Sequence, residues 1–309
     1  VCSSDLIIVT VTDANDAPTF TTTTTTHQAA ENQTSVVVIA GADEDGQTVT
    51  YSISGGVDKD LFQIDAATGV LTFKTAPNYE SSSAVSGLND YLVEITLTDD
   101  NDPVATSTNP LALTIQVTDV NDSPVITTTA AIAVNEEKTA VATIAATDED
   151  SGDTVTFSIT GGADRDHFAI DSSSGALTFS SAPSFENPLD ADTLNDYVVE
   201  VTATDSSNAT ATTEFTVSVT DINDFPKITN GSTAFTAVEN QTTAAAITAT
   251  DDDSTNVLAF TLVATADYAL FDLITTSTDP ASGAATLSFK AAPDFETPSD
   301  IGADNVYDV

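Results

Sequence analysis

Methionine and tryptophan are absent from the 309 residues, cysteine occurs once and histidine twice. One cysteine cannot close an internal disulfide or build a cysteine-rich zinc site. Two histidines, His27 and His167, leave little material for histidine-based catalysis. Basic residues are scarce too: six Lys and Arg stand against 48 Asp and Glu, a net charge of −42. A surface this acidic repels the phosphates of nucleic acids, which removes them as partners, and it repels anionic lipid headgroups. No apolar run reaches the roughly 18 residues that mark a membrane-spanning helix. High net charge often accompanies disorder, yet 40% of the residues are hydrophobic and Val, Ile, Leu and Phe recur at regular spacing. The expectation is a folded acidic chain of two or three domains, at roughly 100–150 residues each.

With no initiator methionine and no apolar leader, the chain reads as a fragment of a longer protein. Residues Val1 to Leu6 back-translate to a stretch resembling the tail of a sequencing adapter. They read as an assembly scar or as a polar loop, so no reactive-cysteine role is built on Cys2.

What is present repeats. Asp13-Ala14-Asn15-Asp16-Ala17-Pro18, Asp119-Val120-Asn121-Asp122-Ser123-Pro124 and Asp221-Ile222-Asn223-Asp224-Phe225-Pro226 recur at offsets of 106 and 102 residues. That period is a domain, not a solenoid turn. Other marks hold the same phase. Glu31, Glu136 and Glu239 follow the linkers. Acidic doublets come next: Asp43 and Asp45, Asp148 and Asp150, Asp251 and Asp253. An aromatic-Glu pair closes each set: Tyr79-Glu80, Phe185-Glu186 and Phe295-Glu296. Asp99 and Asp205 follow the first two of these glutamates.

Between the marks, Val- and Thr-rich stretches alternate apolar and polar residues, the period of half-buried strands. Copy two predicts strands near 131–134, 140–147, 155–159, 167–170, 176–179, 197–204 and 211–220. Hairpins are expected from Phe62-Gln63-Ile64 to Phe73, from Phe168 to Phe179 and from Phe271 to Phe289. Gly69, Gly175 and Gly283 are expected at their turns. Seven short strands per copy, without a cysteine pair or a tryptophan, predict an all-β chain of tandem immunoglobulin-like Greek-key sandwiches. The boundaries read as 1–16, the end of a truncated repeat; 17–122 and 123–224, complete repeats; and 225–309, a repeat cut inside its penultimate strand.

The linker, the Glu, the Asp-x-Asp doublet and the aromatic-Glu pair together resemble the calcium-binding signature of cadherin repeats. The short loops and the Ala-Pro turns look most like cadherin-like repeats of bacterial surface adhesins. Calcium takes six to eight hard oxygen ligands, and acids kept only for solubility would drift between copies, which these do not.

For the junction of repeats one and two, the resemblance implies Glu31 and Glu80 from upstream. Asp119, Asn121 and Asp122 come from the linker, with the carbonyls of Val120 and Ser123. Asp148, Asp150 and Asp205 come from downstream. The next junction would use Glu136, Glu186, Asp221, Asn223, Asp224, Asp251 and Asp253, with Ile222 and Phe225 supplying the carbonyls. The first junction keeps Asp13, Asn15, Asp16, Asp43, Asp45 and Asp99. Glu239 and Glu296 would serve the junction after the third repeat. Where the vertebrate pattern reads Leu-Asp-Arg-Glu, this chain has Asn78 and Ser184 in the acid position and keeps it only as Asp294. The outermost ion therefore has a poorer shell, and the choice between two and three ions stays open.

Other acids read differently. Asp65 and Asp171 precede hairpin turns and are expected to shape them. Thr21–Thr26 reads as an edge strand or spacer, and the four Asn-x-Ser/Thr sequons, at Asn32, Asn208, Asn230 and Asn240, read as chance. The implied function is a calcium-dependent extracellular adhesive or structural array on a bacterial cell surface. Its partners would be other surface proteins, copies of itself or polysaccharide, and it would reach a membrane only through an anchor outside this fragment. A spacer or carbohydrate-binding module of a secreted polysaccharide-degrading protein is the alternative. An enzyme is not expected, because the acid pairs recur in every copy instead of meeting in one cleft.

Overall fold

The structure, a computed structural model, describes residues 7–100, 104–230, 234–253, 257–279 and 282–309; the Val1–Leu6 stretch lies outside them. Strands dominate, and among the described residues the helical elements are three short 3₁₀ turns: Lys59–Leu61, Arg165–His167 and Tyr268–Leu270. No helix among them is long and apolar enough to cross a membrane. The chain divides into two compact units. One holds residues 1–125 with 146–155 and 203–211, and the other holds 126–145, 156–202 and 212–309.

In the first unit a four-stranded sheet runs in the order Thr26–Ala30, Leu111–Thr118, Asp90–Thr98, Thr50–Gly55. Its first pair is parallel, Thr26 opposite Thr114 and Ala30 opposite Thr118, and the other pairs are antiparallel. A three-stranded sheet of Ser35–Val38, Val70–Phe73 and Phe62–Ile64 faces it. Alternation puts one face of each strand inside: Tyr91, Val93, Ile95, Leu113 and Ile115 from one sheet meet Phe62, Leu71 and Phe73 from the other. Each fully buried side chain of this size contributes roughly 1.5–3 kcal/mol, so the core is held by apolar contact and not by the acids.

The second unit repeats the plan. Ala131–Asn135, Thr210–Thr220, Asp196–Thr204 and Thr156–Gly161 form one sheet, and Ala140–Thr143, Ala176–Phe179 and Phe168–Ile170 the other. The same aromatic trio seals each copy. Phe62 and Phe73 lie 4.5 Å apart with Tyr91 edge-on to Phe73 at 5.2 Å. Phe168 and Phe179 stack at 4.6 Å under Tyr197, and Phe271 and Phe289 lie at 4.5 Å under Tyr307. The hairpin register places the two Phe of each pair opposite one another, as expected.

Several expectations need correction. The strand expected over 140–147 is two strands, Ala140–Thr143 and Ala146–Thr147. The register shifts between Ala140 and Ala142, the pairing with Ala176–Phe179 ends at Thr143, and the Ile144 N–H bonds to the Gly175 carbonyl. His167 ends a 3₁₀ turn instead of starting a strand. Gly69 and Gly175 do sit at hairpin turns with φ of 71° and 69°. At either, a Cβ would strike a carbonyl, that of Ile39 or Ile144. Gly283 differs: it lies inside the strand Ser282–Phe289, where a Cβ would come within 2.9 Å of Leu258 and Phe260. Packing space, and not a turn, requires that glycine. Residues 305–309, expected inside a strand, carry no strand assignment, although Tyr307 still fills its aromatic site. Tyr79, Phe225, Phe235, Tyr268 and Phe295 are exposed.

Candidate metal centres

The acids named from the sequence come together at the ends of the sandwiches. Each of the two complete sets falls within a single compact unit. In the first unit Glu31 directly follows the strand Thr26–Ala30 and is 2% exposed. Its two carboxylate oxygens accept the N–H groups of Tyr79, at 2.6 Å, and Val120, at 2.8 Å. One glutamate thus ties the aromatic-Glu loop to the linker. Glu136, 1% exposed, does the same with Phe185 at 2.9 Å and Ile222 at 3.0 Å. Glu239 accepts the Phe295 N–H at 3.0 Å.

The residue after each of these glutamates is left-handed: Asn32, Glu137 and Asn240 have φ near 60°. Each gives its N–H to a proline carbonyl, of Pro77, Pro183 and Pro293. The Ala-Pro turn and the Glu are therefore two sides of one backbone clasp. Asn32, the first residue of a sequon, also donates its side-chain amide to Asp122 Oδ1 at 3.0 Å.

The linker docks identically in all three copies. The N–H groups of Asp16, Asp122 and Asp224 donate to the second acid of the doublet, Asp45, Asp150 and Asp253, at 2.8, 2.7 and 2.6 Å. Inside each doublet the first acid, Asp43, Asp148 or Asp251, accepts the N–H of the second. Asn15 and Asn121 donate to Asp99 and Asp205 at 2.9 and 2.8 Å. Asn121 and Asn223 also reach the carbonyls of Asp122 and Asp224.

Three groups of carboxylates in the first unit have ligand oxygens within 4.8 Å of one another: Glu31, Glu80 and Asp122; Glu80, Asp119 and Asp150; and Asp148, Asp150 and Asp153. Glu136, Glu186 and Asp221 form the matching group in the second unit, and Glu239, Asp294 and Glu296 form another. An acidic cleft of about 600 Å³ opens between Tyr79, Glu80, Asp119, Asn121, Glu149 and Asp150. Several oxygens here are buried with no hydrogen-bond donor, namely Asp122 Oδ2, Asp148 Oδ2, Asp153 Oδ2 and, in the first linker set, Asp43 Oδ2. A buried ionised oxygen without a partner is costly. An all-oxygen donor set of this kind is what calcium coordinates, so the residues fit that ion.

Electrostatics agree. Burial, then the charges of Glu31, Asp119 and Asp150, push the Glu80 carboxyl up. Asp119 rises through burial and then Asp150 and Glu31, and Asp122 through burial and then Glu31. Glu186, Asp221 and Asp224 rise in the same way, burial first. Asp205 is lowered, chiefly by the Asn121 amide. Among the described residues the ion pairs are Arg165–Asp166 and Lys227–Asp252, and only the second lies beside a linker.

Asp153 was missed from sequence. Gln47 holds the corresponding place before Thr-Val-Thr in the first copy, and its Oε1 is also buried without a donor. The extra Ser151 shifts the spacing from the doublet by one, which hid the match. The position two before the aromatic-loop Glu proves to be a turn cap. Asn78 accepts the Ser81 N–H, Ser184 the Asn187 N–H and Asp294 the N–H groups of Glu296 and Thr297. Asp65 and Asp171 cap their hairpins as expected, Asp171 accepting from the backbone and hydroxyls of Ser173 and Ser174.

Residues 128–220 match the family model of the cadherin domain. Over 272 residues, 81% of the chain, the sequence is 32% identical to Cadherin EGF LAG seven-pass G-type receptor 2 of Mus musculus, of which it spans 9%. It is 31% identical over 238 residues, 70% of the chain, to Cadherin-23 of Rattus norvegicus, of which it spans 7%. The crystal structure of mouse cadherin-23 EC22–24 aligns with 92% of this chain and 90% of its own at 19% identity and a TM-score of 0.47. The chain thus spans less than a tenth of the curated relatives it matches. The phased acid motifs, the family match and these relatives agree: the chain belongs to the cadherin family, as tandem all-β cadherin repeats.

Proposed function

We propose that the chain is part of an extracellular, cell-surface adhesive or spacer array whose joints bind calcium and stiffen when they do. The observation that carries this is the set of buried, donorless oxygens of Asp122, Asp148 and Asp153, inside a frame of backbone hydrogen bonds that recurs from copy to copy. The frame fixes the acids before any ion arrives. Glu31 and the doublet hold the linker by its N–H groups, which leaves oxygens of Glu80, Asp119, Asp122 and Asp148 for the three overlapping carboxylate groups. Their mutual repulsion is the force that a divalent ion removes.

Glu31, Glu80, Asp119, Asp122, Asp148, Asp150 and Asp205 would hold the ions, with the linker carbonyls, and Asp153 would add an oxygen. Bound calcium supplies positive charge and a flexible oxygen-coordination shell; extracellular modules of this class bind at roughly 10⁻⁴–10⁻³ M. The repeats themselves need no metal, because their cores are apolar. The role is binding and mechanical, with surface proteins or further copies of the chain as partners. Calorimetric titration of the whole chain with calcium tests the reading. It expects millimolar or tighter binding that Asp119→Ala with Asp122→Ala abolishes at the first complete joint. No heat and no change in melting between calcium and chelator would sink it.

A further inference from the structure

A second kind of acidic site lies in the loop that enters the strand Asp196–Thr204. Asp190 is 4% exposed. Its Oδ2 accepts the Leu194 N–H at 2.9 Å, while its Oδ1 is buried and has no hydrogen-bond donor. The Asp192 carboxylate lies against that of Asp190, and its Oδ1 takes a longer bond, 3.2 Å, from the same Leu194 N–H. Asp164 adds negative charge near Asp192. Both of its oxygens are engaged, by the N–H groups of Ala191 at 2.7 Å and Val198 at 2.8 Å. Neither ion pair among the described residues involves these three acids.

We propose that this loop binds one hard divalent cation, calcium or magnesium, between the carboxylates of Asp190 and Asp192, separately from the joint ions. Two carboxylates in contact, one of them buried, need either a shared proton or a cation between them. The contact with Asp190 pushes Asp192 up. Burial alone would raise Asp190 as well, but Asp192 and the N–H groups of Leu194, Asp190 and Asn195 hold it low. Asp190 therefore stays charged at neutral pH, and the donorless Oδ1 is the oxygen a metal would take. The donors are all oxygen, which selects hard cations over zinc or copper.

The other copies provide contrasts. The first repeat has Ala84 and Ser86 at these places and no acid pair. The third has Asp300, but both of its oxygens are occupied, by the N–H groups of Asn305 at 3.2 Å and Asp304 at 3.0 Å. The donorless Oδ1 of Asn195 carries no weight, because Asn89 in the acid-free first loop shows the same feature. The assignment therefore belongs to the second repeat.

Amide NMR of the full chain, titrated separately with calcium chloride and magnesium chloride to about 10 mM, tests it. The Leu194 and Asn195 signals should move and saturate with at least one ion. Asp192→Asn leaves the Asp190 loop bond in place and should weaken that response roughly tenfold, while the Asp122 and Asp150 signals follow calcium as in the parent. Ala84→Asp with Ser86→Asp should make Leu88 and Asn89 responsive. If Leu194 stays silent while Asp122 responds, the loop site is refuted and the joint reading stands. If Leu194 responds while Asp122 is silent, the loop site stands and the joint reading falls. A Leu194 signal that follows pH but neither metal shows a shared proton and overturns the proposal, as does an Asp192→Asn response equal to the parent's.

Discussion

Glu31→Ala should destabilise the first repeat even when no calcium is present, and this separates the two roles that an acid can play in such a joint. The side chain is 2% exposed and accepts two backbone N–H groups, of Tyr79 at 2.6 Å and Val120 at 2.8 Å. Hydrogen bonds to a charged acceptor contribute about 1.5–3 kcal/mol each, and a donor left buried without a partner costs about 1–3 kcal/mol. Water reaches part of the cleft, so the lower ends apply, and the loss in chelator is about 2–4 kcal/mol. Asp122→Ala is the reverse case. It gives up the Asn32 amide bond, but its Oδ2 has no donor and burial and the Glu31 charge both disfavour its ionised form, so the variant should be near neutral in chelator.

With calcium the ranking changes. At ~1 mM calcium and a dissociation constant of ~0.1 mM, each occupied site adds roughly 1.4 kcal/mol, and both variants forfeit it. Urea denaturation followed by tyrosine fluorescence, with and without chelator, measures all four quantities. Equal stability of Glu31→Ala and the parent in chelator, within about 0.5 kcal/mol, would refute the view that Glu31 is a backbone clasp first and a ligand second.

Asp119→Ala with Asp122→Ala should leave each repeat folded and remove calcium-dependent stiffening. Small-angle scattering with and without chelator reads this as the loss of any change in maximum dimension, and Asp65→Ala serves as the acid control that retains it. Asp153→Asn should weaken calcium at the first complete joint several-fold, roughly 1 kcal/mol, as read by calorimetry. Asp171 is held far below the usual aspartate range by the Ser174 N–H first and then the hydroxyls of Ser173 and Ser174. Its folded value lies below its unfolded one, so its contribution is complete above about pH 4 and is lost only as pH falls through the depressed folded value. Melting of Asp171→Asn against the parent should therefore differ at pH 7 and still differ at pH 3. Glu137→Asn should stabilise the second repeat by about 0.5–1 kcal/mol more than Glu137→Gln does, because both remove the charge that repels Asp224 but only Asn tolerates the left-handed backbone well. Thermal melting in chelator compares the two.

The sandwich and the clustering of the acids were legible because both follow from patterns that survive repetition. Strand alternation puts Tyr91, Val93 and Ile95 inside whatever the loops do. An acid kept at one phase of a period near 100 residues can be found by counting. What escaped depends on local register. Asp153 was hidden by a one-residue insertion, Gly283 by the assumption that a glycine between paired strands marks their turn, and the break after Thr143 because alternation alone does not announce where a strand stops pairing.

The roles of the acids were harder to read than their places. Glu31, Asp122 and Asp150 are one residue type or nearly so, yet they divide the work. Glu31 spends both oxygens on backbone N–H groups, Asp150 accepts the linker N–H, and Asp122 keeps an oxygen with nothing to accept. Calcium needs a shell of such oxygens, and a short acidic linker cannot hold them together against their own repulsion. On the proposed calcium reading, the acids that accept backbone bonds do the holding and leave the oxygens of the others for an ion. This explains why the linker, the doublet and the glutamate recur as a set: losing a holding residue disperses the ligands as surely as losing a ligand. It also explains why the aromatic-Glu loop tolerates Asn78, Ser184 or Asp294 at its turn cap, since any of these side chains can accept the backbone N–H that shapes the turn.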